Sequence, residues 1–172
     1  LAYRYNQKGV TPREDEAFAA ALTAAPDNLE VLLQRARFLD RNERPLEALE
    51  VLERLLELAP DHSTARSDLA DLLQEIGDYR GAAEHYRLLI AADPYDVNAR
   101  LELARCYLKG GFGDREAVYR ELIEAAPHDY RGYLNLGLAL EAQGGEAAEL
   151  LTEALEKYPA KDWLRRYRAW RS

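Results

Sequence analysis

At 172 residues the chain is long enough for one ordinary domain or one short array of repeats. Its composition, 48% hydrophobic and 31% charged with 10 Gly and 7 Pro, excludes a disordered, fibrous or low-complexity protein. A net charge of −8 is unsuited to general phosphate neutralisation, so nucleic acid is not an expected partner, and no apolar run approaches the roughly 18 residues of a membrane span.

Taken in chain order, residues 1–10 read as an N-terminal extension and residues 11–160 as a repeat array. The array is marked by Pro26, Pro60, Pro94, Pro127 and Pro159, each ending a helical run in similar words: LTAAP, LELAP, IAADP, IEAAP and LEKYP. Asp27, Asp61, Asp96 and Asp129 follow four of these prolines and are expected to cap the next helix. The first repeat keeps only a second helix, with Phe18. The second turns at Asn42 to Arg44, with Pro45 suited to the first turn of its second helix. In the third, a helix over Ser63 to Glu75 is broken at Gly77-Asp78 and followed by a helix over Arg80 to Ala92. The fourth turns at Gly110-Gly111-Phe112-Gly113, with Asp114 as the expected cap, and the fifth at Gly144-Gly145. The two shorter proline spacings near the end read as trimmed loops. Each helix is short and amphipathic, so it must bury its apolar stripe on a neighbour.

Residues 161–172 differ from the rest. Lys161, Arg165, Arg166, Arg168 and Arg171 are interleaved with Trp163, Tyr167 and Trp170. Such a stretch can bind RNA or a membrane surface, but a terminal capping helix that covers the last apolar face of a stacked array is favoured.

No catalytic, cofactor or metal site is expected. His62 and His128 fall in turns after the prolines, His85 sits beside the packing residue Tyr86, and none has a metal-spaced companion. Cys106 reads as a small core residue; alone, it excludes an internal disulfide and a cysteine-based zinc site. The glycine turn lacks the strand and the Lys-Ser/Thr ending of a phosphate loop. A single thiol suits cytoplasm and periplasm alike, so the compartment stays open. The chain opens on Leu1, without an initiator Met, and is expected to be a piece of something longer.

The paired helices, the 34-residue period, and the small and large residues at fixed places resemble the tetratricopeptide repeat. The fifth repeat carries Tyr133, Leu136, Gly137, Leu140, Ala147, Leu151 and Pro159; the third carries Leu69, Ala70, Leu73, Ala82, Tyr86 and Pro94. The second offers Leu32, Ala36, Leu39, Ala48, Leu52 and Pro60, and the fourth Leu103, Ala104, Tyr107, Tyr119 and Pro127. Arg35, Arg66 and Arg100 depart from the pattern, standing where large apolar residues are usual. The resemblance implies an all-α, right-handed superhelical solenoid of about four and a half repeats, non-enzymatic, in which the first helix of each repeat lines a concave groove.

Residues expected on that groove are Leu33, Arg37 and Arg41; Asp71 and Gln74; Asn98, Leu101, Arg105 and Lys109; and Arg131, Leu134 and Leu138. Family members that bind chaperones hold a terminal carboxylate in a Lys/Asn/Arg clamp. The corresponding positions here, Leu33 with Arg37, Asp68, and Asn98 with Glu102, do not reproduce it, so tails of the Hsp70 or Hsp90 type are not expected. The implied function is a scaffold or adaptor that docks a peptide or helix of another protein. An accessory region of a larger enzyme or envelope-assembly protein, and a self-assembling homo-oligomer, are the alternatives. Arg37, Arg105, Lys109 and Arg131 form one basic track if the groove closes as expected, favouring an acidic, aliphatic segment; otherwise these arginines pair with neighbouring carboxylates.

Overall fold

The computed structural model describes residues 12–142, which form eight helices and no strand. The N-terminal extension, the Gly144-Gly145 turn, the second helix of the fifth repeat with Ala147, Leu151 and Pro159, and the expected capping helix at 161–172 lie outside the described residues. The chain divides into two compact units, Leu1–His85 and Tyr86–Ser172. The first holds α1 (Pro12–Ala24), α2 (Leu29–Arg41), α3 (Pro45–Leu58) and α4 (Ser63–Glu75); the second holds α6 (Val97–Gly110), α7 (Arg115–Ala125) and α8 (Tyr130–Ala142). The division falls within α5 (Tyr79–Ala92).

The periodic prolines do one job four times. Pro26, Pro60, Pro94 and Pro127 each follow the residue whose carbonyl closes a four-residue turn: the N–H groups of Asn28, His62, Asp96 and Asp129 donate to Ala25, Ala59, Asp93 and Ala126 at 2.9–3.3 Å. Proline suits that second turn position because its φ is already set. The fourth residue of each turn then stands at the entrance of the next helix. Asn28 Oδ1 accepts from Val31 N–H at 3.1 Å, His62 Nδ1 from Ala65 N–H at 3.2 Å and Asp96 Oδ1 from Ala99 N–H at 2.9 Å. Asp129 Oδ1 accepts from Arg131 N–H at 2.9 Å. The expected caps Asp96 and Asp129 therefore hold, as does Asp114 on Ala117 N–H at 3.0 Å. Asp27 and Asp61 are one residue early, since Asn28 and His62 complete the turn; Asp27 instead accepts an ion pair from Arg54 at 2.9 Å.

A second position recurs at the turn between the helices of a repeat. Glu43, Gly77 and Gly111 lie 34 residues apart and all have left-handed φ, +59°, +87° and +65°. The next N–H in each case reaches back to Leu39, Leu73 or Tyr107 at 2.8–3.2 Å, closing the helix end. Glycine takes this conformation without a Cβ penalty, whereas Glu43 bears it. Glu43→Gly is therefore expected to stabilise the first unit by up to about 1 kcal/mol, read as a higher urea midpoint at unchanged slope.

Packing runs between consecutive helices: α1 on α2, α2 on α3 and α3 on α4 in the first unit, α6 on α7 and α7 on α8 in the second. Leu39, Ala48 and Leu55 are fully excluded from solvent, with Leu32, Ala36, Leu52, Leu69 and Leu72 around them. The Phe18 and Phe38 rings meet at 5.3 Å. Alanines at positions 36, 48, 70, 82 and 104 are at most 1% exposed, as their close-approach role requires. In the second unit Leu103, Cys106, Val118, Leu122, Tyr133 and Leu136 are among the buried residues.

Two of the three arginines that depart from the repeat pattern share an explanation. Arg66 and Arg100, one period apart, reach back six residues to the carbonyls of Pro60 and Pro94. A guanidinium thus satisfies the turn that a large apolar residue would only cover. Arg66 also lies 3.4 Å from His85 Nδ1. Burial and the Arg66 charge hold His85 below the ordinary histidine pKa, although Glu84 and Glu53 pull the other way. The unfolded chain therefore takes up this proton first as pH falls, so the contribution is present above about pH 6.5 and lost below it. His85→Gln should flatten the fall in stability between neutral and mildly acidic pH, measured by urea titrations across that range.

Candidate functional site

The surface lined by the first helices is best defined in the first compact unit. There α2 and α4 flank a cavity of about 460 Å³. Its apolar floor is Ala36, Leu52 and Leu72, all at most 3% exposed, and its walls are Gln34, Arg37, Asp40, Arg41, Asp68, Asp71 and Glu75. Arg37 spans it: Nε donates to Asp68 Oδ2 at 2.6 Å and Nη2 to Oδ1 at 3.4 Å, a two-point pair between neighbouring repeats. The pair raises the already high pKa of Arg37 and fixes the guanidinium. Arg41 Nε donates to the Arg37 carbonyl at 3.2 Å.

A second cavity of about 440 Å³ adjoins the first and shares Gln34 and Arg41 with it. Ala17, Phe18 and Ala21 of α1 and Val31 and Phe38 of α2 give it a mainly apolar lining, with Glu14 and Glu30 on the rim.

In the second compact unit, α6 and α8 are braced in a related way. Arg131 Nη1 donates to Asn98 Oδ1 at 3.0 Å, while its Nε and Nη2 grip Asp129 at 2.7–3.2 Å. Asp129 raises the Arg131 pKa further. Arg105 pairs with Glu102 at 2.9 Å, Lys109 is exposed in the last turn of α6, and Leu101, Leu134 and Leu138 are half-buried.

Arg37, Arg41 and Asp71 thus line the first cavity, whereas Gln74 is not among its lining residues and Leu33 is not its floor. Leu33 is only 6% exposed and belongs to the core, because α2 packs on both α1 and α3 and needs a wider buried face. Of the residues expected on the basic track, Arg37, Arg105 and Arg131 each pair with a carboxylate, as the alternative reading has it. Gln34, Asp40 and Glu75 also line this cavity although the sequence pattern does not single them out; their place on α2 and α4 beside Arg37 and Asp71 is the signal that points to them.

The histidines and the thiol have structural settings. His62 caps a helix, His85 packs beside Arg66, and Cys106 is fully buried. Among the described residues no group of His, Cys, Asp and Glu side chains is arranged to hold a metal ion, and no helix is long and apolar enough to cross a membrane.

The tetratricopeptide repeat model matches residues 41–82 and again 75–115. No curated protein matches the chain significantly. Among solved structures, a crystal structure of MamA is 27% identical, with 84% of this chain and 86% of that one covered at a TM-score of 0.71. MamA from Desulfovibrio magneticus RS-1 is 20% identical over 93% of this chain and 92% of its own, at 0.70. PilW, described as a type IV pilus biogenesis factor, is 23% identical over 95% and 77%, at 0.66. Two matched repeats within residues 41–115, the proline-ended period of the sequence and the paired, consecutively packed helices together give this all-α chain a tetratricopeptide-repeat fold, one suited to protein–protein interaction.

Proposed function

We propose that this chain is a non-catalytic docking scaffold that holds a segment of a partner protein on the surface lined by its first helices. The observation that carries the reading is the cavity between α2 and α4, where a buried aliphatic floor meets polar walls and an ion pair fixes the spacing of two repeats. Such a floor supplies contact area and the walls orient an incoming segment.

Filling the cavity tests this. Gln34 is exposed and lines both cavities, so Gln34→Trp places a large ring in the groove without disturbing the core. Leu46, 67% exposed on α3, serves as the control position in Leu46→Ser. Proteins captured from a native lysate by the immobilised chain should be lost with Gln34→Trp and retained with Leu46→Ser, at matched melting temperatures. Capture that survives the filled groove overturns the reading.

A further inference from the structure

The charge lining the first cavity identifies the kind of segment it fits. Four carboxylates, Asp40, Asp68, Asp71 and Glu75, stand against two guanidiniums, Arg37 and Arg41. Arg37 is cancelled by its two-point pair with Asp68. Even with Asp71 left out of the count, the exposed Asp40 and Glu75 outnumber Arg41, so the walls carry a net negative potential that a concave, partly apolar setting strengthens. We propose that this cavity takes a lysine- or arginine-bearing segment of a partner protein, with a bulky apolar residue next along that segment entering the adjoining cavity of Phe18, Val31 and Phe38.

The chemistry fits both halves. A long basic side chain lays its aliphatic stem on an apolar floor while its head stays among carboxylates. Here the floor is Ala36, Leu52 and Leu72, and the carboxylates rim it. Gln34 and Arg41 are common to both cavities, which places the apolar pocket directly beside the acidic one. An anionic segment would instead meet an excess of like charge, opposed by Arg41 alone beyond the Arg37–Asp68 pair. This inference rests on the docking reading and adds the sign of the ligand.

The test uses the full 172-residue chain. Two short fluorescein-labelled peptides, alternating lysine with leucine or glutamate with leucine, are titrated by anisotropy at low and moderate salt. The lysine peptide is expected to bind, the glutamate peptide to bind at least about tenfold more weakly. Combining Asp40→Asn, Asp71→Asn and Glu75→Gln should weaken the lysine peptide about tenfold and flatten its salt dependence. Neutralising the exposed Glu50, Glu53 and Glu121 to Gln, away from the cavity, should leave affinity within about twofold. Equal losses from the two neutralisations, tighter binding of the glutamate peptide, or no binding of either peptide overturns the charge assignment. The docking reading has its own arm: if the bound peptide, of either sign, ignores Gln34→Trp, the groove itself is overturned.

Discussion

Replacing Leu39 with alanine should lower the stability of the first unit by about 2–5 kcal/mol, while Leu46→Ala, seven residues on, should change it by less than about 0.5 kcal/mol. Leu39 is wholly buried among the residues of α2, α3 and α4, whereas Leu46 projects from α3 with 67% of its surface exposed. Truncation at position 39 removes the transfer free energy of three carbons and leaves a void lined by neighbours already in contact, which cannot all close on it. The effect is large for the fold because each repeat is supported only by its neighbours, so a cavity at the α2–α3 contact weakens the unit on both sides. Urea denaturation followed by circular dichroism reads both variants. Similar midpoints for the two would mean that α2 does not carry the core.

The fold was largely legible because its determinants are local and repeated. Helix α4 occupies the same Ser63 to Glu75 that its pattern indicates, and α5 starts only one residue earlier than expected. The alanines at 36, 48, 70, 82 and 104 were identifiable by their recurrence and are buried as that recurrence implies. The cap positions slipped at Asp27 and Asp61 because residue type favours Asp, while the turn geometry, closed by Asn28 and His62, decides which residue stands at the helix entrance.

The site was less legible, since its key interactions connect residues a whole repeat apart. Arg37 finds Asp68 and Arg131 finds Asn98 across 31 and 33 positions. A helix-by-helix reading sees a cation at the right place but not the polar group that a neighbouring first helix brings to it, Asp68 for Arg37 and Asn98 for Arg131. Comparing charges one period apart on equivalent helix faces would have exposed the Arg37–Asp68 pair. Leu33, expected on the groove, belongs instead to the buried cluster shared by α2, α3 and α4, a burial that the periodicity of α2 alone does not reveal.

Gly113→Ala should destabilise the second unit by about 2–4 kcal/mol, clearly more than Gly111→Ala at about 1 kcal/mol. Both glycines have left-handed φ, +70° and +65°, so both variants bear the conformational cost. Only at position 113 does an added methyl group also collide: its Cβ would lie 2.7 Å from Cγ, Cδ2 and Cε2 of Tyr107, against open space at position 111. The tyrosine ring has little room to yield. Tyr107 is 8% exposed, packs edge-on against Phe112 at 5.3 Å, and accepts hydrogen bonds at its hydroxyl from Arg87 Nε and Nη2 at 3.1 and 2.6 Å. Moving the ring therefore costs packing and hydrogen bonding together. A double-mutant cycle separates the two components: in a Tyr107→Ala background the added cost of Gly113→Ala should fall to about that of Gly111→Ala, leaving only the backbone penalty. An undiminished cost in that background would place the strain in the backbone alone and remove Tyr107 from the account.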